Sequence, residues 1–282
     1  MDGSILAGPV EVDTLVKMIK MAYAFENWEK VLTLSAKLLE AVNEILLTES
    51  QPYTKMDRNI AYYFGYAYLM RGLAYQKQEQ FSDSLKCVAL YSNLDYLDDS
   101  TKESRQIIDD YKQFAKANGL TLEVLRGNRE RLNDYVLYLE EHPDQILSGL
   151  ITILESALHH TYTVDTELTT LMAYINNPSC YSDQIAAAKY LSLHYLLAYY
   201  KYCNHRYSEA LDLSLHTLMQ SDNLGNDGYF KKSVALFEIL KTHASASQLN
   251  EYSNILKKIF KGANEHEKSN CPGSHFVESG QH

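Results

Sequence analysis

The sequence predicts an all-α protein built from stacked pairs of helices. Residues 66–91 contain the clearest pair, with Gly72 on a first helix, a polar turn at 78–80, and a second helix that begins at Phe81 and buries Ser84. Two short helices cannot bury their apolar faces alone, so such pairs stack on one another. No segment shows the apolar and polar alternation of a strand. Less regular copies of the pair lie at residues 15–41, 120–139 and 198–211.

Turn and capping signals divide the first half of the chain into helices. Gly8-Pro9 opens the first helix, because a proline at a helix start sacrifices no hydrogen bond. Residues 25–28 form the next turn. Ser100 with Glu103 matches a capping box in front of an amphipathic segment, and Gly119 is predicted to break that segment.

The second half carries the same kinds of signal. Pro143 and Asp144 start an amphipathic helix, and Ser245 with Gln248 matches a second capping box in front of another. Further breaks are predicted at Gly127-Asn128, at residues 203–206, at Gly225 and at Gly228.

The chain is expected to form one repeat domain over residues 1–262, followed by a tail. Its five prolines are scattered, and no stretch rich in Gly, Ser or Pro separates two halves. After residue 262 the helical periodicity of the apolar residues ends. Residues 263–282 are therefore predicted to be a flexible tail.

The order of small and aromatic residues in 66–91 resembles a tetratricopeptide repeat. The resemblance implies a right-handed superhelix of tetratricopeptide-like helix pairs, in which the first helix of each pair lines a concave groove. Gly72 and Ser84 occupy the two positions where the helices of such a pair cross closely.

Composition and charge exclude several classes of function. The 26 basic and 36 acidic residues give a net charge of −10, which disfavours a nucleic-acid surface, so no direct nucleic-acid binding is expected. No apolar stretch approaches the ~20 residues of a membrane span, and no secretory signal opens the chain. The four cysteines are widely spaced and fit reduced thiols. A cytoplasmic protein without membrane contact is expected.

Catalytic, metal and cofactor motifs are not found in the sequence. No H-E-x-x-H pattern, G-x-S-x-G elbow or glycine-rich phosphate loop occurs, so we expect no enzyme, no metal and no cofactor. His266, Cys271, His275 and His282 lack the close ligand pairs of a structural zinc site.

Tyrosine usage points to a binding groove. With 23 Tyr against 8 Phe, the chain carries more polar aromatic side chains than a core requires. An aromatic groove with amide and ammonium donors suits an extended peptide, whose backbone needs hydrogen bonds and whose side chains need pockets. Projecting the repeat pattern onto helical faces places these residues in the groove: Asn59, Tyr62, Tyr66, Gln76, Lys77, Tyr190, His194, Tyr200 and Lys201.

A second resemblance concerns the whole of residues 2–262. The segments 2–6, 25–31, 63–66, 71–76 and 143–151 are similar to the repeat portion of Gram-positive bacterial regulators that join a helix-turn-helix to a tetratricopeptide-like sensor. This resemblance implies a cytosolic receptor for short secreted signalling peptides, as in quorum sensing. No basic helix-turn-helix precedes residue 2, so DNA reading does not carry over. The phosphatase activity of a related branch does not carry over either. That branch dephosphorylates response regulators with a glutamine on an N-terminal helical bundle, and residues 1–50 contain no glutamine.

Three functions remain open, of which a hydrolase or phosphatase has the least support, because the sequence shows no activated nucleophile and no metal-ligand set. The first is a non-catalytic sensor that binds a short peptide or a partner's segment and controls a transcriptional or signalling partner. The second is a constitutive scaffold without a small ligand, with an acidic cluster as its contact surface. A homodimer is also expected, because the segment with Leu249, Ile255, Leu256 and Ile259 looks too apolar to stand exposed. The acidic cluster comprises Asp95, Asp98, Asp99, Glu103, Asp109 and Asp110.

Overall fold

The computed structural model describes residues 11–47, 56–175 and 184–270, and these residues form helices and turns without a strand. The all-α prediction is therefore confirmed. The chain divides into two compact units, unit 1 over residues 1–141 and unit 2 over residues 142–282. The sequence analysis did not mark this boundary, and both the single repeat domain and the right-handed superhelix stay predictions. Within the described part, no helix combines the length and apolarity needed to cross a bilayer.

The helices of unit 1 pack mainly on their neighbours in sequence. Each of its first five helices packs on the next one, and α3 also contacts α5. Two short 3-10 helices, Asp95–Leu97 and Arg129–Arg131, precede α5 and α6. The α-helices are α1 (Val12–Ala24), α2 (Trp28–Leu47), α3 (Ile60–Lys77), α4 (Phe81–Ser92), α5 (Lys102–Leu125) and α6 (Leu132–Glu141).

Unit 2 is arranged around α9 and α10. Helix α9 packs on α7, α10 and α11, and α10 also contacts α12. The 3-10 helix Pro143–Gln145 leads directly into α7, as the Pro143-Asp144 signal predicts. The α-helices are α7 (Ile146–His160), α8 (Asp165–Met172), α9 (Gln184–Cys203), α10 (Tyr207–Asn223), α11 (Asp227–Leu240) and α12 (Ala246–Asn270).

One turn geometry recurs between the paired helices. A residue with positive φ follows the first helix, and the next N–H bonds back to a carbonyl five residues earlier, which is the Schellman pattern that satisfies helix-end carbonyls. Glu79 (φ 58°) makes this turn between α3 and α4, where Gln80 N–H donates to the Tyr75 carbonyl at 2.9 Å. The same geometry recurs around Glu26, Gly127, His205 and Gly225. The predicted turns at 25–28, 78–80, 127–128 and 203–206 are thus confirmed.

Helices α3 and α4 cross closely at Gly72 and Ser84, as the sequence predicts. The buried Ser84 hydroxyl donates to the Gly72 carbonyl at 2.7 Å. A Cβ added at Gly72 would lie 3.3 Å from Cys87 Cβ, tighter than an ordinary contact. Small side chains are therefore required at this crossing.

A second close approach in unit 1 involves Gly65 and Tyr111. The ring of Tyr111, on α5, covers the α3 backbone so closely that a side chain at Gly65 would overlap it. Tyr111 is 5% exposed, and its hydroxyl donates to the Tyr62 carbonyl at 3.1 Å. This ring fixes how α5 lies on α3.

Three boundaries differ from the predictions. Thr101, not Ser100, caps α5, since its hydroxyl accepts the Ser104 N–H at 3.1 Å while Ser100 has φ 68°. Gly119 lies inside α5 and Gly228 inside the first turn of α11, since one glycine costs a helix only ~1 kcal/mol and does not by itself end it. The predicted opening at Gly8-Pro9 lies outside the described residues.

At the C-terminal end the capping-box prediction is confirmed and the helix is longer than expected. The Ser245 N–H donates to Gln248 Oε1 at 2.9 Å, and the Gln248 N–H donates to Ser245 Oγ at 3.2 Å. Helix α12 continues to Asn270, beyond the end of the apolar periodicity at residue 262. Ile255 and Leu256 pack against the core of unit 2, which removes part of the reason for expecting a dimer.

Candidate functional site

The predicted groove residues on α3 begin with a stacked pair of tyrosines. Tyr62 and Tyr66, one turn apart, stack with ring centroids 5.6 Å apart, and the Arg58 guanidinium lies 4.5 Å above the Tyr62 ring. Tyr66 is only 8% exposed, whereas Tyr62 is half-buried. Burial raises the pKa of both hydroxyls, which therefore stay protonated at neutral pH.

The polar residues predicted on this face have separate roles. Asn59 caps α3 by accepting the Ala61 N–H at 2.9 Å, and its amide donates to Asp99 at 2.8 Å. Gln76 lines a narrow crevice where α3 meets α5, opposite Asn118. Lys77 is exposed at the end of α3. Part of the predicted α3 stripe is thus a helix interface rather than an open groove.

In unit 2, Tyr190 and His194 belong to a buried aromatic cluster with His216. The Tyr190 and His194 ring centroids lie 4.1 Å apart, those of His194 and His216 lie 4.9 Å apart, and the Tyr190 hydroxyl is 3.0 Å from His216 Nε2. His194 Nδ1 donates to the Tyr190 carbonyl at 3.0 Å. Burial lowers the His194 pKa to about 4, so this imidazole is neutral at physiological pH.

Tyr200 and Lys201 are also committed to contacts within unit 2. Tyr200 is 1% exposed, and its hydroxyl accepts the Val164 N–H at 2.9 Å. Lys201 Nζ lies 3.2 Å from Asp165 and 3.5 Å from Glu209. These two side chains hold α9 to the start of α8 and to α10, and neither faces a groove.

The reason for this outcome lies in the composition of α9. Tyrosine, leucine and alanine occupy every side of the helix, so the repeat pattern does not identify which side is buried. A rotation of about 100° for each residue of phase error moves a side chain from groove to core. The sequence therefore does not reveal that Tyr190, His194 and Tyr200 are buried. Their burial results from the packing of α7 and α10 on α9.

The acidic cluster, the proposed surface of a scaffold, is partly partnered. Asp95 pairs with Lys112 at 2.6 Å, and Asp98 with Arg105 at 3.5 Å. Asp99 accepts hydrogen bonds from Thr101, which together with Asn59 hold its pKa below the usual range. Within the described residues, Arg105 and Lys112 balance two of the cluster's six negative charges, so the cluster keeps a net negative charge.

A groove that the sequence analysis did not identify lies between α4, α5 and α6 in unit 1. It has a volume of about 560 Å³. The α5 residues that line the groove recur at helical spacing, so they share one face of the helix. On α6, Leu137 is 52% exposed, whereas the neighbouring Val136 and Tyr138 are buried. Gly119 leaves room at its base, since a Cβ there would meet only Val88 at 3.9 Å. The lining residues are Leu85, Ala115, Lys116, Gly119, Leu120, Glu123, Arg131, Asp134, Leu137, Tyr138 and Glu141.

Charges at the groove rim are partly satisfied. Arg131 pairs with Asp134 at 2.7 Å, and Glu123 pairs with Arg126 at 3.0 Å. Lys116 forms no ion pair with a described residue, and its ammonium lies 5.6 Å from the Tyr138 ring centroid. The sequence signal for this groove was Leu137, an apolar residue outside the buried face of α6. Only the structure shows that α5 forms the opposite side of the groove.

Within the described residues, no three His, Cys, Asp or Glu side chains gather in a way that could hold a metal ion. His266, Cys271, His275 and His282, for which no zinc site was expected, lie outside the described side chains. In comparisons with known proteins, no family model, no curated protein and no solved structure matches this chain. The regulator resemblance therefore stays a prediction.

Proposed function

We propose that this chain is a non-catalytic regulatory module that binds a short peptide in the α4–α6 groove. The observation that carries the proposal is the composition of the groove, whose apolar base of Leu85, Leu120 and Tyr138 is bordered by charged side chains. Pockets that combine apolar surface with a few polar groups bind ligands by burying side chains and orienting the backbone. Leu137 and Leu85 supply the apolar contacts.

Charge complementarity supports a peptide with free termini. The rim offers Lys116 and Glu141, while Arg131 and Asp134 already pair with each other. A short free peptide carries a carboxylate at one end and an ammonium at the other, which matches one unpaired cation and one anion. We assign Lys116 to the peptide carboxylate and Glu141 to its amino group, with the apolar side chains between them.

The regulatory part of the proposal depends on the sequence resemblance to peptide-receptor regulators. In that role the peptide would bind one conformation of the helical repeats more tightly than another and so shift the activity of a transcriptional or signalling partner. A constitutive scaffold is the second candidate, and it would bind an internal segment of a partner in the same groove. Free termini distinguish the two, because an internal segment lacks both terminal charges.

The test is affinity-selection mass spectrometry with a synthetic library of short random peptides that have free termini. Peptides selected by the native chain should bind Leu137→Glu and Lys116→Glu at least about tenfold more weakly, because a charge replaces an apolar contact or the carboxylate anchor. Leu90→Glu is the matched control, since Leu90 is 48% exposed on α4 outside the groove.

Capping both termini of a selected peptide separates the two candidates. If the termini are recognised, acetylation and amidation together should weaken binding to the native chain, whereas amidation alone should not weaken binding to Lys116→Glu, which has lost the partner of the carboxylate. Equal affinity of free and capped peptides would favour the scaffold. Selected peptides that bind Leu137→Glu as tightly as the native chain would refute the groove assignment.

A further inference from the structure

Histidine is distributed unequally between the two units. All ten histidines of the chain lie at residue 142 or later, so unit 2 contains every one of them and unit 1 contains none. Histidine is the only side chain whose ordinary pKa makes it change charge between pH 5 and 8. A moderate fall in pH therefore changes the side-chain charges of unit 2 and leaves those of unit 1 nearly unchanged.

Two of these histidines form a pair inside unit 2, where α9 packs on α10. His194 on α9 is buried, and His216 on α10 is half-buried. Their ring centroids lie 4.9 Å apart, and Tyr190 is bonded to both rings, through its carbonyl to His194 and through its hydroxyl to His216. We call His194 and His216 the histidine pair. Because the pair spans two helices, any change in its charge acts on their packing.

The histidine pair has no counter-ion among the described residues. Neither imidazole forms an ion pair. Tyr190 on α9 and the second imidazole on α10 are the titratable groups that face each ring, while no charged side chain of α7 or α11, which also pack on α9, bonds to either ring. The carboxylates that reach α9 from α8 and α10, Asp165 and Glu209, pair with Lys201 instead.

Protonation of the histidine pair is disfavoured as long as α9 and α10 stay packed. Burial favours the neutral imidazole and lowers the pKa of both rings, that of His194 to about 4. A proton on one ring also disfavours a proton on the other, since the two like charges would lie close together without a carboxylate between them. Once the helices separate, both rings regain water and their ordinary pKa of 6.5. The separated form therefore binds protons more readily, and a fall in pH below 6.5 favours it.

We propose that the histidine pair is a pH-sensitive switch for unit 2, in which proton uptake from solvent separates α10 from α9 while unit 1 keeps its packing. Helix α9 packs on α7, α10 and α11, so this separation opens the centre of unit 2. His194 alone should raise the ratio of open to packed molecules about thirtyfold between pH 7.5 and pH 5. The proposal does not depend on the α4–α6 groove, which belongs to unit 1.

The experiment is amide hydrogen exchange of the full chain, followed by mass spectrometry at pH 7.5 and pH 5 and corrected for the intrinsic pH dependence of exchange. The ratio of open to packed molecules, read from amides of α9 and α10, should rise at least about tenfold at the lower pH. Amides of α3 and α4 should change less than about threefold, and the emission of Trp28, the chain's single tryptophan, should stay constant because it lies in unit 1. Equal rises in the two units, or no rise in unit 2, would overturn the proposal.

Variants assign the response to the histidine pair. His194→Gln keeps an N–H donor but cannot titrate, so it should reduce the rise at least about threefold, and adding His216→Gln should abolish what remains. Each variant is compared with its own exchange at pH 7.5, so a general loss of stability does not imitate the result. His159→Gln is the matched control, because His159 is exposed on α7 outside the pair, and it should keep the full rise. A double variant that responds to pH like the native chain would refute the switch.

Discussion

Replacing Gly65 with alanine should destabilise unit 1, although the same change in most helices stabilises. Gly65 lies inside α3, where alanine has the higher helix propensity, worth about 0.5–1 kcal/mol. The Tyr111 ring, however, occupies the space that the new methyl group needs. The sign of the effect therefore reports on the contact between α3 and α5.

The expected magnitude follows from three contributions. Forcing a methyl group into a packed interface costs about 1–3 kcal/mol. If the ring moves away, the hydrogen bond from the Tyr111 hydroxyl to the Tyr62 carbonyl is lost, at about 0.5–1.5 kcal/mol. Subtracting the propensity gain leaves a net loss of about 0.5–4 kcal/mol in the free energy of unfolding.

The assay is urea unfolding followed by Trp28 fluorescence, which reports on unit 1. Gly119→Ala is the matched control inside α5, where the added methyl group meets only Val88 at an ordinary distance, and it should stabilise by about 0.5–1 kcal/mol. In a Tyr111→Ala background, Gly65→Ala should also stabilise, because the ring is gone. A Gly65→Ala variant that is more stable than the native chain would refute the described packing of Tyr111.

Three further predictions concern other contacts. Thr101→Ala should cost about 1 kcal/mol in urea unfolding through loss of the α5 cap, whereas Ser100→Gly should not destabilise; the reverse result would restore the original capping box. Tyr200→Phe should cost about 1–3 kcal/mol, because it leaves a buried N–H without its acceptor, while Tyr199→Phe, at a 40% exposed position, should be nearly neutral; equal effects would contradict the placement of Tyr200. Burial lowers the His194 pKa, so the unfolded chain binds the proton more readily than the folded chain. The free energy of unfolding should therefore fall as pH drops from about 6.5 to 4, by up to ~1.4 kcal/mol per pH unit. His194→Gln should reduce this slope, and an unchanged slope would contradict the burial of the imidazole.

Helix boundaries were predictable wherever a local signal sets them. The Ser245 and Gln248 pair needs only the backbone N–H groups of its own turn, so the capping box was readable from four residues. At α5 two adjacent hydroxyl residues, Ser100 and Thr101, compete for the cap, and the pattern selected the wrong one. Gly119 was misread as a break because α5 packs on α3, α4 and α6, and this packing compensates for the cost of one glycine.

The candidate site was less predictable, because it depends on which helix faces meet. The exposed Leu137 on α6 is visible in the sequence, but its partner surface on α5 lies more than a dozen residues away. Conversely, Tyr200 and Lys201 matched a groove pattern and belong to contacts within unit 2. Tyrosine suits a core and a binding surface equally well, so its identity alone does not distinguish them.

By itself, the sequence determined that this protein is all-α, where most paired helices begin and end, and that small residues stand where α3 crosses α4. These features depend on backbone hydrogen bonds and side-chain periodicity within about two turns of helix. Tertiary structure alone decided that Tyr111 covers Gly65, that α9 buries Tyr190 and Tyr200, and that the α4–α6 groove stays open. The physical reason is that burial is a property of two surfaces in contact, and a helix with apolar residues on several sides offers more than one surface to its neighbours.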